Sequence, residues 1–418
     1  MNNFRYSNSI FINLIIVSII PFLIWGPFFP DLIVSIATLF FVFFLIKNNN
    51  FYYFKKKPFI IFSLFCVIST LISLESKDIS LSIYSSFFYF RIGIFSCLIW
   101  YLIDKDKSLL IYFYYALMLC FLALVIDGYF QFFSGENLFG LKIIGTRVSS
   151  FFGDELIMGS YLSRLFPLLF ALFLVKQKWK FEIYFIALLF ILVDVLIYVS
   201  GERTAFFFLN LSTVFIIILI KKYQLFRLVT FITAIVCIIF LSLNSPTLNN
   251  RMFKSPAEDM GFIKSSKKPS MFSPNHDSHY RTAYNMFKDK PIFGHGPKMF
   301  RVLCKDEKYA VGVKPCSTHP HNFYVQLLAE TGVIGFLFLF CALCYVLFAA
   351  LMQFKSIIFS QKRPLTDYQV CLLAGILISV WPLSPNGNFF NNWLMIVYSL
   401  PVGFYLQSIY SKKNKNYL

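Results

Sequence analysis

Apolar runs of about 17–25 residues, each as long as a helix that crosses a bilayer, recur along almost the whole chain. Backbone placed in hydrocarbon must satisfy its own polar groups, so runs of this kind become helices rather than open strands. Twelve can be placed, at approximately 9–25, 31–46, 58–74, 81–103, 109–133, 156–175, 182–199, 204–220, 228–244, 323–354, 367–384 and 392–410. The expected fold is all-α: a polytopic integral membrane protein of about twelve transmembrane helices, with one large outer loop before the tenth. Nine helices fall in residues 1–244, the loop in 245–320, and three helices with a tail in 321–418. Only 14% of residues are charged, against roughly 25% in soluble domains. Met1 to Pro30 resembles a signal peptide, with Arg5 ahead of an apolar run. It lacks a small-x-small cleavage site and further spans follow at once, so it reads as the first transmembrane helix.

Basic residues set the orientation. Alternate connections hold Lys47 with Lys55–Lys57, Lys105 with Lys107, Lys176 with Lys178 and Lys180, Lys221 with Lys222 and Arg227, Lys355 with Lys362 and Arg363, and finally Lys412, Lys413 and Lys415. The intervening short connections hold only Lys77, Lys142, Arg147 and Arg203. Positive loops stay in the cytoplasm, so both termini are expected there. The net charge of +18 then records loop orientation, and no nucleic-acid partner is expected.

The segment from about Leu243 to Pro320 lies on the far side. It is too poor in apolar residues for an independent domain and is expected to pack on the outer helix ends. Residues 255–278 read as flexible loop. Tyr280 to Lys288 has helical spacing, and Lys290-Pro291 ends that helix. Gly294-His295-Gly296-Pro297 makes a turn. Seven of the nine cysteines fall in the spans, whereas Cys304 and Cys316 share the outer loop, where an oxidising compartment permits a disulfide. No metal-ligand cluster with good spacing is present.

All five histidines (His276, His279, His295, His319, His321) lie in the outer segment or at its exit. Thr318-His319-Pro320 resembles a helix start, with Pro320 near the first helical position and His321 in the first turn. There the helix dipole disfavours imidazolium, leaving a neutral ring able to accept a proton. A polar cap at the membrane surface is the alternative. Gly332 and Gly335 are expected to allow close helix packing. Arg203 follows a span directly, in Ser200-Gly201-Glu202-Arg203-Thr204; Arg147 lies in another outer connection and Arg281 in the long loop. The guanidinium fork suits phosphate oxygens, so these arginines point to a lipid diphosphate. Alternatively, each snorkels to headgroups or pairs locally. Inside the spans, Arg91, Arg164, Asp127 and Asp194 either pair structurally, as Arg164 with Asp194, or mark a transport path.

His321-Asn322, nine residues, then Gly332-Val333-Ile334-Gly335 resembles the signature of the bacterial O-antigen ligase family, which includes O-antigen polymerases. Gly201-Glu202-Arg203 and Arg281…Pro291…Gly294-His295-Gly296 fit the same pattern. The resemblance implies a glycosyltransferase of the inner membrane with its site on the periplasmic side and no cofactor or metal. It would move a glycan from undecaprenyl diphosphate to an acceptor hydroxyl, most simply on lipid A–core, with inversion. By that carry-over Arg203 and Arg281, with Arg147, hold the diphosphate, Asn322 assists in substrate binding, and His321 or His319 is the general base. A polymerase of the same family and a flippase of lipid-linked sugars are the alternatives.

Overall fold

The computed structural model describes residues 2–176, 181–263 and 272–411, with side chains from residue 10 onward. Lys178, Lys180, Lys264, Lys267, Lys268, Lys412, Lys413 and Lys415 lie outside the described residues. Every regular element among those described is helical, apart from two isolated bridges in the connection after residue 134.

Among the described residues eight helices are long and apolar enough to cross a membrane. They are Phe28–Lys47 (α2), Ile79–Lys105 (α4), Ser108–Ser134 (α5), Met158–Val175 (α6), Glu182–Val199 (α7), Gln224–Asn244 (α9), Phe323–Ile358 (α11) and Asn392–Tyr410 (α13). Four shorter apolar helices occupy the other expected positions: Ile10–Trp25 (α1), Lys57–Ser73 (α3), Arg203–Leu219 (α8) and Asp367–Ser379 (α12). The outer loop contributes Pro274–Asp289 (α10). The chain is thus an all-α polytopic membrane protein. The helix expected over 367–384 stops at Ser379, because Pro382 and Pro385 follow.

The centre is α6. Its side chains are buried on every face from Met158 to Leu174, as a helix that is apolar all round requires. It packs against α12, α8 and α5, while α13 packs on α4. The connections gather at two ends. At one, the backbone N–H groups of Lys221 and Lys222 donate to Asp367, and the Tyr52 hydroxyl donates to the Tyr410 carbonyl. At the other, Arg251 Nε donates to the Gly201 carbonyl and Asn386 N to the His321 carbonyl. This is the alternation that the basic residues predict.

The charges within the spans are mostly structural, with a pairing that differs from the expected one. Asp194 accepts both terminal nitrogens of Arg227, at 2.8 and 3.1 Å, and not Arg164. Arg227 therefore lies fully buried in α9 rather than in a loop, with Thr213 as a further acceptor. Arg91 pairs with Asp31 at 2.6 Å. Asp127 anchors the outer connection by accepting from Leu138 N and from the Asn137 and Ser150 side chains. Gln131, one turn on, accepts from Ser149 N and Ser150 N. Together they fix the connection that carries Arg147.

The outer segment has a small core of its own. Ala283 and Met286 of α10 meet Met299, Phe300, Leu303 and Tyr309, and close on Ala329 of α11. A Cys304–Cys316 disulfide staples this unit. It packs on the start of α11, as its modest apolar content predicts.

α11 is not a continuous helix. Gly332 has φ 62° and ψ −161°, which breaks it into Phe323–Thr331 and a longer membrane half. The loop after α10 fills the break. His295 N donates to the Ala329 carbonyl, Gly296 N to the Glu330 carbonyl, and Val333 N to the Pro291 carbonyl. Gly332 thus serves a positive φ and a close backbone approach, not helix–helix packing. A Cβ there would collide with the Ile292 carbonyl.

Candidate active site

At the outer end of the bundle a cavity of about 1290 Å³ opens between α1, the connections after α5 and α7, the outer segment and the connection between α12 and α13. Arg147, Arg164, Arg203, Arg251 and Arg301 line it, with His276, His319 and His321. Among the described residues none of these five arginines forms an ion pair with a carboxylate.

The arginines are held by their backbones and by neutral acceptors. Glu202 accepts from Gly159 N and Ser160 Oγ, both at 2.6 Å, so it caps α6 and fixes the Gly201–Arg203 corner. Such a carboxylate on free N–H groups at a helix start is strongly bound. Gly201 has φ 67°, and a Cβ there would come within 3.2 Å of Arg147 Cγ. Arg203 Nε donates to the Arg251 carbonyl at 2.9 Å, and Arg147 donates to the Leu156 carbonyl at 2.7 Å. Three guanidinium groups therefore converge around one glycine. Arg164, only 5% exposed, donates to the Tyr398 hydroxyl, the Ser160 carbonyl and Asn386 Oδ1. Its hydrogen bonds thus all go to neutral acceptors, with Glu202 nearby but not paired to it.

His321 lies before α11, not in its first turn. The cap is Asn322, whose Oδ1 accepts from Tyr324 N and Val325 N, and Pro320 precedes it outside the helix. His321 itself has φ 61°, a left-handed conformation that costs a residue with a Cβ about 1–2 kcal/mol. Its carbonyl is held by Asn386 N at 2.8 Å. The helix-dipole argument for a neutral ring thus gives way to another. Burial, followed by the neighbouring rings of His319, His276 and His279, pushes His321 down to about 3. Burial likewise brings His319 down to about 4. The His319 and His321 ring centroids are 4.1 Å apart, and His276 and His279 stand 5.5 and 5.4 Å from His321. So many close imidazoles cannot all be charged.

The two candidate bases differ in their bonding. His319 Nε2 faces the Asn386 carbonyl at 3.3 Å and must carry a proton to bond it, while Nδ1 is taken up by the Thr318 hydroxyl. His321 Nε2 meets only the Ser317 hydroxyl at 3.1 Å, which can donate or accept, so no tautomer is imposed.

Of the residues singled out from sequence, Arg147, Arg203, His319 and His321 come together in the cavity. Arg281 does not line it: it sits on the outward face of α10, 62% exposed, beside Asp277 at 3.7 Å. Asn322 does not line it either, being occupied as a cap, with Nδ2 on the Pro382 carbonyl. Arg164, Arg251, Arg301 and His276 are additional cavity residues. A lone basic residue in a span or a lysine-rich loop carries no mark of convergence. For Arg164 alone a signal was available, since charge at that depth of an apolar span is costly.

Residues 186–340 match the family model described as O-Antigen ligase. Over that segment the chain is similar to the O-antigen ligase family. The matched part contains Arg203, Arg251, Arg301 and both His319 and His321, but neither Arg147 nor Arg164. At the coarse level the likeness supports a membrane enzyme of the ligase or polymerase kind. No curated protein matches the chain.

Proposed function

We propose that the protein is a glycosyltransferase of the O-antigen ligase type, working at the periplasmic face of the bacterial inner membrane. It moves a glycan from undecaprenyl diphosphate to a hydroxyl of an acceptor such as lipid A–core. The observation that carries this reading is the cavity in which arginines, none of them ion-paired to a carboxylate among the described residues, face a histidine whose tautomer is not imposed. Residues 245–320 form the periplasmic part in this reading, and both termini are cytoplasmic. The Cys304–Cys316 disulfide suits an oxidising compartment.

The chemistry needs little more. A lone-pair nitrogen of His321 takes the proton of the acceptor hydroxyl as its oxygen bonds the anomeric carbon. The bond from that carbon to the diphosphate oxygen breaks, and its electron pair stays on the diphosphate. Arg147 and Arg203, with Arg251 beside them, neutralise the charge that develops there. Attack and departure on opposite faces of the carbon invert it. Protonation of His321 becomes easier once the diphosphate has brought negative charge into the cavity.

A pH dependence follows from the free site. The base must be unprotonated, and its affinity for protons is lowered, so it stays competent well below the usual histidine value of about 6.5. The acid limb of kcat/KM is expected below about pH 5. A limb centred near 6.5 would remove His321 from the role of base in this environment.

The function is tested by reconstitution. Purified protein receives a glycan on undecaprenyl diphosphate, EDTA, and two acceptors: lipid A–core and a second lipid-linked glycan. Product on lipid A–core supports the ligase, and lengthened lipid-linked chains identify a polymerase instead. No transfer to either by a folded sample overturns the proposal.

A further inference from the structure

The connection between α12 and α13, Ser384-Pro385-Asn386-Gly387-Asn388, lies outside the matched family segment and forms the cavity wall next to the histidine pair. Asn386 and Asn388 are each only 7% exposed. Their amide orientations are fixed by obligate donors. Asn386 Oδ1 accepts from Gly387 N at 3.0 Å and from Arg164 at 3.2 Å. Asn388 Oδ1 accepts from Phe390 N at 2.7 Å and from Gln326 Nε2 at 3.1 Å. Each Nδ2 is therefore the donor end, and among the described residues neither has a partner. Both residues line the cavity, and buried donors without a partner are costly unless an acceptor is brought to them.

Their place along the cavity indicates which acceptor. The Arg147, Arg203 and Arg251 cluster surrounds Gly201, next in the chain to Glu202; from Glu202 bonds run through Ser160 to Arg164, then to Asn386, and from Asn386 to the His321 carbonyl and His319 Nε2. In an inverting displacement the leaving group and the base lie on opposite sides of the sugar carbon, so the sugar ring occupies the ground between them. That ground is where Asn386 stands. Resting on the transferase reading above, we infer that Asn386 and Asn388 form a glycan subsite, donating their amide N–H groups to hydroxyl or acetamido-carbonyl oxygens of the sugar joined to the diphosphate. Arg164, bonded to Asn386 Oδ1, polarises that amide and strengthens it as a donor. The pair are positioning residues that recognise the sugar and leave the diphosphate to the arginines.

Asn386→Asp and Asn388→Asp test this, because each keeps the Oδ1 acceptor that the fold uses and replaces the donor by a second acceptor oxygen; the negative charge that comes with it is controlled by reading two lipids that share the diphosphate. Binding of two lipids to full-length protein in detergent is compared: undecaprenyl diphosphate without sugar, and the same carrier bearing its glycan. The wild type is expected to bind the glycan-bearing lipid more tightly. In either variant that preference, the ratio of the two affinities, should fall about tenfold, since the effect of the added charge on the diphosphate is common to both lipids and cancels in the ratio. An equal loss for both lipids, or an unchanged preference in both variants, would leave the amides no part in sugar recognition. Either result overturns the subsite. Wild-type protein that binds neither lipid overturns the transferase reading itself, before any variant is read.

Discussion

His321→Asn is expected to lower turnover by about 10²–10⁴-fold while leaving the melting temperature and donor binding close to wild type. Asparagine is chosen because it tolerates the left-handed backbone found at this position (φ 61°), so lost strain relief does not confuse the result. His319→Ala is expected to cost much less, since both of its ring nitrogens are occupied by Thr318 and the Asn386 carbonyl. Its contribution is to hold the neighbouring wall. The measurement is single-turnover transfer with purified variants at saturating donor, which separates chemistry from binding. Normal turnover by His321→Asn would sink the base assignment. A deep loss confined to His319→Ala would move the role to that ring.

Gly332→Ala is expected to destabilise the protein by on the order of 3 kcal/mol, combining a positive φ with a collision against backbone. The added Cβ would strike the Ile292 carbonyl, in the loop whose N–H groups satisfy the carbonyls of Ala329 and Glu330. Relief would require that loop to leave. Glu330 would then lose Phe300 N, and the Gln326 side chain that ties Glu330 to Asn388 would lose its register. Gly135→Ala is the control. Gly135 also has a positive φ (87°), but a Cβ there meets nothing within 4 Å, so it isolates the backbone strain from the collision. Melting followed by detergent-solubilised size-exclusion should show a large drop for the first variant and a small one for the second. Equal, near-wild-type melting would mean that the break in α11 is not required.

The membrane architecture was legible in the chain because hydrocarbon imposes one local rule: a segment of sufficient apolar length must be helical, whatever surrounds it. The same local character made the alternation of basic connections, the α10 pattern ending at Lys290-Pro291, and the Cys304 and Cys316 pairing candidates visible. The pairing of His321-Asn322 with Gly332 was visible as a motif, yet its conformation was not. Sequence placed His321 inside the helix and Gly332 in a helix contact, whereas the chain caps at Asn322 and breaks at Gly332. Those features depend on where the Pro291–Gly296 loop and the α12–α13 connection dock, and no residue spacing records that.

The site divides in the same way. Residue type alone selected Arg147, Arg203 and the two histidines, since phosphate recognition and proton transfer need those groups. Only the tertiary structure turned Arg281 outward, brought Arg164 and Arg251 in, gave Asp194 to Arg227, and set Asn386 between Arg164 and His319. The physical reason is range. Hydrophobic length, turn chemistry and charge asymmetry act on neighbours in the chain, so sequence determines the spans and their direction. Convergence of charges separated by a hundred residues or more is decided by helix packing, which exists only once the bundle has formed.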